Sequence, residues 1–406
     1  MFDKVRNLPE NIKQYLVITT NYWFFTLTDG ALRMLVVLYF HQLGYQPLAI
    51  ALLFLFYEAF GVITNLIGGW LGARIGLNKT MNIGLGLQVM ALLMLALPSE
   101  MLTVIWVMFA QALSGIAKDL NKMSAKSSIK ALVVDSSEHT TSPLFKWVAL
   151  LTGSKNALKG VGFFLGGFLL ATFGFQQSML LMAAVLMIVV CASLILLNKP
   201  LGQAKSKPKF TEIFSRDATL NYLAAARLCL FAARDVWFVV ALPIFLNQTF
   251  QWSYQQVGAF LALWVIAYGL VQAKTPKLIT LFKCSNISGR LLSYWAFGLS
   301  LVTAVIAASL YWQVAVFSFV IGGLLLFGAI FAINSSLHSY LVVSLAKEDG
   351  VSMDVGFYYM ANAMGRLLGT VLSGWLFQQY GLAICLMVSV LLAASSAVFI
   401  RKVNPQ

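Results

Sequence analysis

The chain has 406 residues, of which 60% are hydrophobic and only 10% charged. Its mean hydropathy is +0.83. A soluble domain carries about 25% charged residues, so a soluble enzyme is excluded, and so is a nucleic-acid partner, despite 28 Lys+Arg against 14 Asp+Glu. The composition is that of an all-α integral membrane protein embedded in a lipid bilayer.

The apolar runs fall at 18–43, 48–70, 80–98, 101–120, 146–173, 177–197, 218–246, 254–273, 286–309, 313–336, 355–377 and 381–400. Each approaches the ~20 residues that one helical crossing needs. None shows the period-2 alternation of barrel strands. The polar start, Met1-Phe-Asp-Lys-Val-Arg-Asn-Leu-Pro-Glu10, precedes no small-residue cleavage site, so the first span reads as permanent. Residues 198–217 are rich in Lys, Pro and Gly. They read as a basic cytoplasmic linker between six-helix bundles at 1–197 and 218–406.

Of the Lys and Arg residues, 22 lie at the termini and in the even-to-odd connections, and the other connections hold none. The positive-inside rule therefore places both termini in the cytoplasm. Lys118, Lys122, Lys126 and Lys130 recur every four residues, and the last three read as anchors on anionic headgroups.

The chain repeats itself. Gly69-Trp-Leu-Gly-Ala-Arg74 recurs as Gly269-Leu-Val-Gln-Ala-Lys274. Leu165-Gly-Gly-Phe-Leu-Leu-Ala-Thr-Phe-Gly174 recurs as Leu372-Ser-Gly-Trp-Leu-Phe-Gln-Gln-Tyr-Gly381. Asp29 aligns with Asp235 across a short gap. Three ordered matches at about half-chain offset imply twelve transmembrane helices in two pseudo-symmetric six-helix bundles, the major facilitator architecture. The stretch Gly69 to Lys79 resembles that superfamily's loop 2–3 signature, with Ala73 where an Asp is usual. Gly162-Phe-Phe-Leu-Gly-Gly167 resembles the span 5 signature of its antiporters, with Phe163 in place of Pro. Ordinary small-residue packing explains the same glycines.

Six cations fall inside spans: Arg33, Lys155, Lys159, Arg227, Arg234 and Arg366. The intramembrane acids are Asp29, Glu58 and Asp235. A charge at mid-bilayer costs about 2.5–3.5 kcal/mol even on a lenient scale, so these groups must face the bundle interior or water. Extending the repeat backwards matches Lys159 with Arg366 and Lys155 with Asn362. This predicts two cations at equal depth, suited to an anion charged at both ends. Arg33, Lys155, Lys159, Arg234, Asn362 and Arg366 are thus the expected substrate ligands. Asp29 and Arg33, four apart, are expected to pair. The neighbours Arg234 and Asp235 need not. Glu58, with no cation nearby in sequence, is the first proton-coupling candidate or else a partner of Arg33 or Lys159; Asp29 and Asp235 stand behind it. Arg227 reads as reaching the inner interface, and His338 as interfacial. No cofactor or metal is expected: Cys191, Cys229, Cys284 and Cys385 are scattered, and no Walker loop is present.

Three strings carry a more specific resemblance: Tyr22 to Gly44, Gln111 to Lys126 and Leu151 to Gly160 are similar to the ArsJ-type organoarsenical efflux permeases, most densely over residues 20–175. The resemblance implies export of 1-arseno-3-phosphoglycerate across a bacterial inner membrane, giving arsenate resistance. It also implies a functional partner, the glyceraldehyde-3-phosphate dehydrogenase that makes this compound, with no physical contact. Lys118, Asp119, Asn121 and Lys122 lie in the second of these strings, and Arg74 in the loop 2–3 stretch; they are candidates for a gate, a cytoplasmic entry or an anchor. An organic-phosphate/phosphate exchanger is the alternative reading.

Overall fold

A computed structural model describes residues 10–45, 53–132, 143–197, 201, 217–238, 240–252, 254–281, 287–347 and 351–403. Among them the regular structure is helical, with no strand. The basic linker lies outside the described residues except for Leu201 and Asp217. In chain order the α-helices are α1 (Glu10–Gln42), α2 (Leu55–Ile75), α3 (Leu77–Leu95), α4 (Val104–Leu132), α5 (Pro143–Leu196), α6 (Ala218–Phe238), α7 (Ala241–Phe250), α8 (Tyr254–Leu281), α9 (Gly289–Trp312), α10 (Val316–Leu345) and α11 (Val351–Arg401).

Seven helical stretches among the described residues are long and apolar enough to cross a membrane. Two of these, of 52 and 51 residues, would be about 75–80 Å long if straight, more than twice the ~30 Å hydrocarbon core. Each folds back at a glycine in extended but left-sided geometry: Gly174 (φ 74°, ψ 179°) in α5 and Gly381 (φ 76°, ψ −176°) in α11. Positive φ disfavours any side chain with a Cβ. These are the final residues of the repeated ten-residue strings, so the sequence repeat is realised as a repeated turn.

α4 packs on α1, α2 and α3. These helices bury polar side chains: Asn65, Gln88, Gln111 and Asn121 are almost wholly enclosed. Ser114 Oγ, for example, donates to Gln88 Oε1 at 2.8 Å. Large apolar residues instead cover the outer surface, with Ile188, Ile195, Leu301 and Leu391 mostly exposed, as a hydrocarbon solvent allows. Tyr311 and Trp312 at the end of α9 are exposed as well, the placement of an aromatic belt.

The chain divides into two compact units. The first comprises Met1–Ser136, Ser154–Phe214 and Ala346–Met360; the second comprises Ser137–Gly153, Ser215–Leu345 and Ala361–Gln406. Within the first, α2 meets the start of α11. A Cβ on Gly69 would lie 2.5 Å from the Ser352 carbonyl oxygen and 2.9 Å from Gly356 Cα. Within the second, the start of α5 meets α8, where a Cβ on Gly153 would lie 2.5 Å from Ala273 N. Gly69 and Ala273 belong to the two copies of the hexapeptide repeat, so both copies serve as close helix crossings. Ala73 is fully buried, which leaves no room there for the carboxylate usual in the loop 2–3 signature.

Candidate functional site

In the first unit, α1 and α5 approach backbone to backbone. A Cβ on Gly162 would lie 2.6 Å from the Leu27 carbonyl oxygen and 3.0 Å from Gly30 Cα. Trp23 Nε1 donates to Ser154 Oγ at 2.8 Å beside this crossing. The approach puts Lys159 Nζ 3.8 Å from Asp29 Oδ2. Tyr57 of α2 donates to the other oxygen of Asp29, Oδ1, at 2.5 Å.

The expected Asp29–Arg33 pair does not form. Arg33 Nη2 lies 3.1 Å from Glu58 Oε1, and Lys118 Nζ lies 3.7 Å from Glu58 Oε2. Residues four apart on one helix share a face, yet partners on α2 and α5 outcompete that local pairing. Arg33 and Lys118 also lie over the Tyr57 ring, at 4.6 Å and 3.8 Å from its centroid. Tyr57 is therefore the hub of the cluster: its hydroxyl holds a carboxylate and its face holds two cations.

α4 extends the cluster. Its helix continues well past residue 120, where the apolar run ends, and so carries the polar residues that follow into the protein. Lys122 Nζ lies 2.6 Å from the nearly buried Asp119. Lys126, 3% exposed, donates to the hydroxyl of Tyr359 at 2.5 Å. Both lysines lie over the Tyr359 ring, at 4.8 Å and 4.9 Å. The headgroup-anchor expectation for Lys122 and Lys126 is thus corrected, because both ammonium groups are held by protein. The side chain of Lys130 lies outside the description. Asn121 Nδ2 donates along its own helix to the Ala117 carbonyl at 2.9 Å. Arg74 stacks over Trp70 at 5.2 Å, apart from these contacts.

The second unit repeats the arrangement. α6 and α11 cross at glycine: a Cβ on Gly369 would lie 2.9 Å from both the Ala232 carbonyl oxygen and Asp235 Cβ. Arg366 Nε lies 3.3 Å from Asp235 Oδ2, and Arg234 Nε lies 2.5 Å from Asp235 Oδ1. The neighbours Arg234 and Asp235 do pair, since the long guanidinium stem folds back to its own neighbour. Arg234 also lies over Phe331 at 5.3 Å. Lys159 precedes Gly162 by three residues, as Arg366 precedes Gly369. In each unit, therefore, a matched aspartate–cation pair, Asp29–Lys159 or Asp235–Arg366, sits beside a glycine crossing, which is the sequence repeat expressed as chemistry.

Arg227 is 3% exposed, so it does not reach an interface. Its Nε donates to Asn362 Oδ1 at 2.9 Å and its Nη1 to Ser335 Oγ at 3.1 Å. Asn362 is thereby engaged by Arg227. Lys155, its counterpart in the repeat, is half-buried on α5. His338 is fully buried, correcting the interfacial expectation.

Both units gather more positive than negative charge. The first brings together Arg33, Lys118, Lys122, Lys126, Lys155 and Lys159 with Asp29, Glu58 and Asp119 on α1, α2, α4 and α5. The second brings Arg227, Arg234 and Arg366 with Asp235. Arg33, Glu58 and Arg366 keep 26%, 29% and 29% of their side-chain surface exposed. They are paired without being sealed, so an anion can compete for the cations.

A family model for the Major Facilitator Superfamily matches residues 18–284. No curated protein sequence matches the chain. Among solved structures, a bacterial homologue of the iron transporter ferroportin in an outward-facing state is similar, with TM-score 0.72 and 14% identity over 97% of this chain and 99% of that one. The same homologue with soaked iron gives TM-score 0.71 and 14% identity over 96% and 98%. The human organic anion transporter MFSD10 (TETRAN) gives TM-score 0.74 and 16% identity over 97% and 100%. At such identities the likeness is one of fold.

Proposed function

We propose that this chain, which belongs to the major facilitator superfamily and is therefore a multi-pass membrane transporter and not an enzyme, exports an organic arsenate/phosphate anion by alternating access. The cargo is 1-arseno-3-phosphoglycerate, exported from a bacterial cytoplasm through the inner membrane, with both termini on the cytoplasmic side. The supporting observation is the surplus of buried and half-buried cations in each unit, which suits a multiply charged anion and would repel a cationic drug. Lys159 and Arg366 are the cations proposed to bind the cargo's anionic groups, with Arg33, Lys155 and Arg234 beside them. The specific cargo rests on the resemblance of residues 22–44, 111–126 and 151–160. Glyceraldehyde-3-phosphate dehydrogenase is the proposed supplier of substrate.

The test is resistance. In a sensitive host, the transporter together with the dehydrogenase should protect against arsenate, and neither alone should. Protection against arsenite, or against arsenate without the dehydrogenase, would replace this cargo with another. An organic-phosphate/phosphate exchanger remains the second reading, because Glu58, the first proton-coupling candidate, is engaged by Arg33 and Lys118. An exchanger needs no proton site.

A further inference from the structure

On α10, Asn334 and His338 are fully buried one turn apart, on one helical face. Neither the amide oxygen nor the amide nitrogen of Asn334 has a hydrogen-bond partner among the described residues, and neither do the two ring nitrogens of His338. Buried polar atoms are almost always satisfied, and each one left unmet costs about 1–3 kcal/mol. Four together on one face therefore mark a place built to receive a polar group.

The surroundings decide its charge. Ser335 follows Asn334 and lies three residues before His338, so it shares the histidine's face. Ser335 accepts from Arg227 through both its hydroxyl (3.1 Å) and its carbonyl (3.3 Å). Arg227 is held further by Asn362 at 2.9 Å and by the ring of Phe231, 4.0 Å from its guanidinium carbon. A fixed guanidinium beside the pair excludes a metal cation and favours an anion. Of the four atoms, the amide nitrogen and one ring nitrogen donate, while the amide oxygen and the other ring nitrogen accept; a phosphate-class oxyanion that keeps a P–OH offers acceptor oxygens and a hydroxyl donor to meet both kinds.

We infer that Asn334 and His338, backed by Arg227, form an inner binding site for a phosphate-class oxyanion within the second unit. The site shares no residue with the Asp235–Arg366 pair and does not depend on the cargo assigned above. Its occupant is either the phosphoryl group of a transported organic phosphate or free inorganic phosphate as a counter-anion.

The test is equilibrium binding of radiolabelled inorganic phosphate to the purified full-length protein in nanodiscs, with chloride as control and 3-phosphoglycerate as competitor. Wild type should bind phosphate saturably in the presence of chloride. His338→Leu should weaken binding about tenfold, the equivalent of one lost hydrogen bond to a charged group. Asn334→Asp is nearly isosteric and should abolish phosphate binding by charge repulsion, whereas a site that held only water would tolerate it. If His338→Leu loses its cooperative unfolding transition, Asn334→Asp and the donor-retaining His338→Gln decide the matter. Displacement by 3-phosphoglycerate identifies the occupant as a cargo phosphoryl group, and resistance to displacement identifies free phosphate. Absence of phosphate binding in wild type, or wild-type affinity in Asn334→Asp, overturns the inference. So does binding that Lys159→Gln removes and Asn334→Asp spares, a result that would leave the proposed cargo site standing.

Discussion

Lys159 and Arg366 each sit beside an aspartate, so their substitution should affect folding as well as the export proposed above. Lys159→Gln leaves Asp29, 5% exposed at its side chain, without its ammonium partner. Breaking a buried pair from one side costs about 3–5 kcal/mol, with Tyr57 left as a donor to Asp29. Lys159→Gln should therefore lower the thermal midpoint of the purified protein and abolish export. The double variant Lys159→Gln/Asp29→Asn removes both charges; it should regain most of the midpoint and none of the export. Recovery of both would make the pair structural only. At this scale the sequence was informative about which charges lie inside the spans and less so about their partners. Asp29, Arg33, Glu58, Lys159, Asp235 and Arg366 all stood out as charges inside apolar runs. Of their pairings, Glu58 with Arg33 was among the alternatives the sequence offered and is the one formed; the others were not legible, because spacing along one helix says nothing of what a neighbouring helix brings. Tyr57 and Tyr359 carried no signal, since a tyrosine in an apolar span is unremarkable until its hydroxyl and ring have charged neighbours.

Helix crossings set the separation of those charges. In α5 the glycines differ sharply: a Cβ on Gly162 meets backbone at 2.6 Å, while one on Gly167 meets only a leucine methyl at 3.9 Å. Gly162→Ala should therefore cost about 1–3 kcal/mol by overpacking and reduce export by moving Lys159 relative to Asp29. Gly167→Ala should be neutral or slightly stabilising, because glycine inside a helix is worth about 1 kcal/mol less than alanine. Thermal unfolding and export by the two variants check the contrast, and equal effects would refute it. Both glycines belong to one hexapeptide, so the motif located the crossing without telling which glycine makes it. The repeat itself was readable to the residue, since Gly174 and Gly381 end the matched strings and both adopt the same turn. The extent of α4 was not readable from apolarity, because its later turns are polar and yet buried against protein.

For the whole molecule, the anion export proposed above should respond to voltage, because a multivalent anion carries its own charge across the field. Outward movement gains about 2.3 kcal/mol per charge per 100 mV of inside-negative potential. Uptake into everted vesicles should thus rise with an imposed potential. Glu58→Gln should lose any response to a pH gradient while retaining the response to voltage. If Glu58→Gln keeps full pH-driven uptake, proton coupling lies elsewhere; if wild type ignores the gradient and follows counter-phosphate, the exchanger reading replaces antiport. The two glycine turns bear on how such a molecule reaches its membrane. At Gly174 and Gly381 one helix passes into the next with no loop, and the residues around the turns, from Phe168 to Leu180 and from Trp375 to Met387, include no charge. Each long helix can then enter the bilayer during synthesis as a preformed hairpin. Nothing charged need be carried across at the turn, and by the positive-inside rule the basic flanks would stay on the side of synthesis and set its direction.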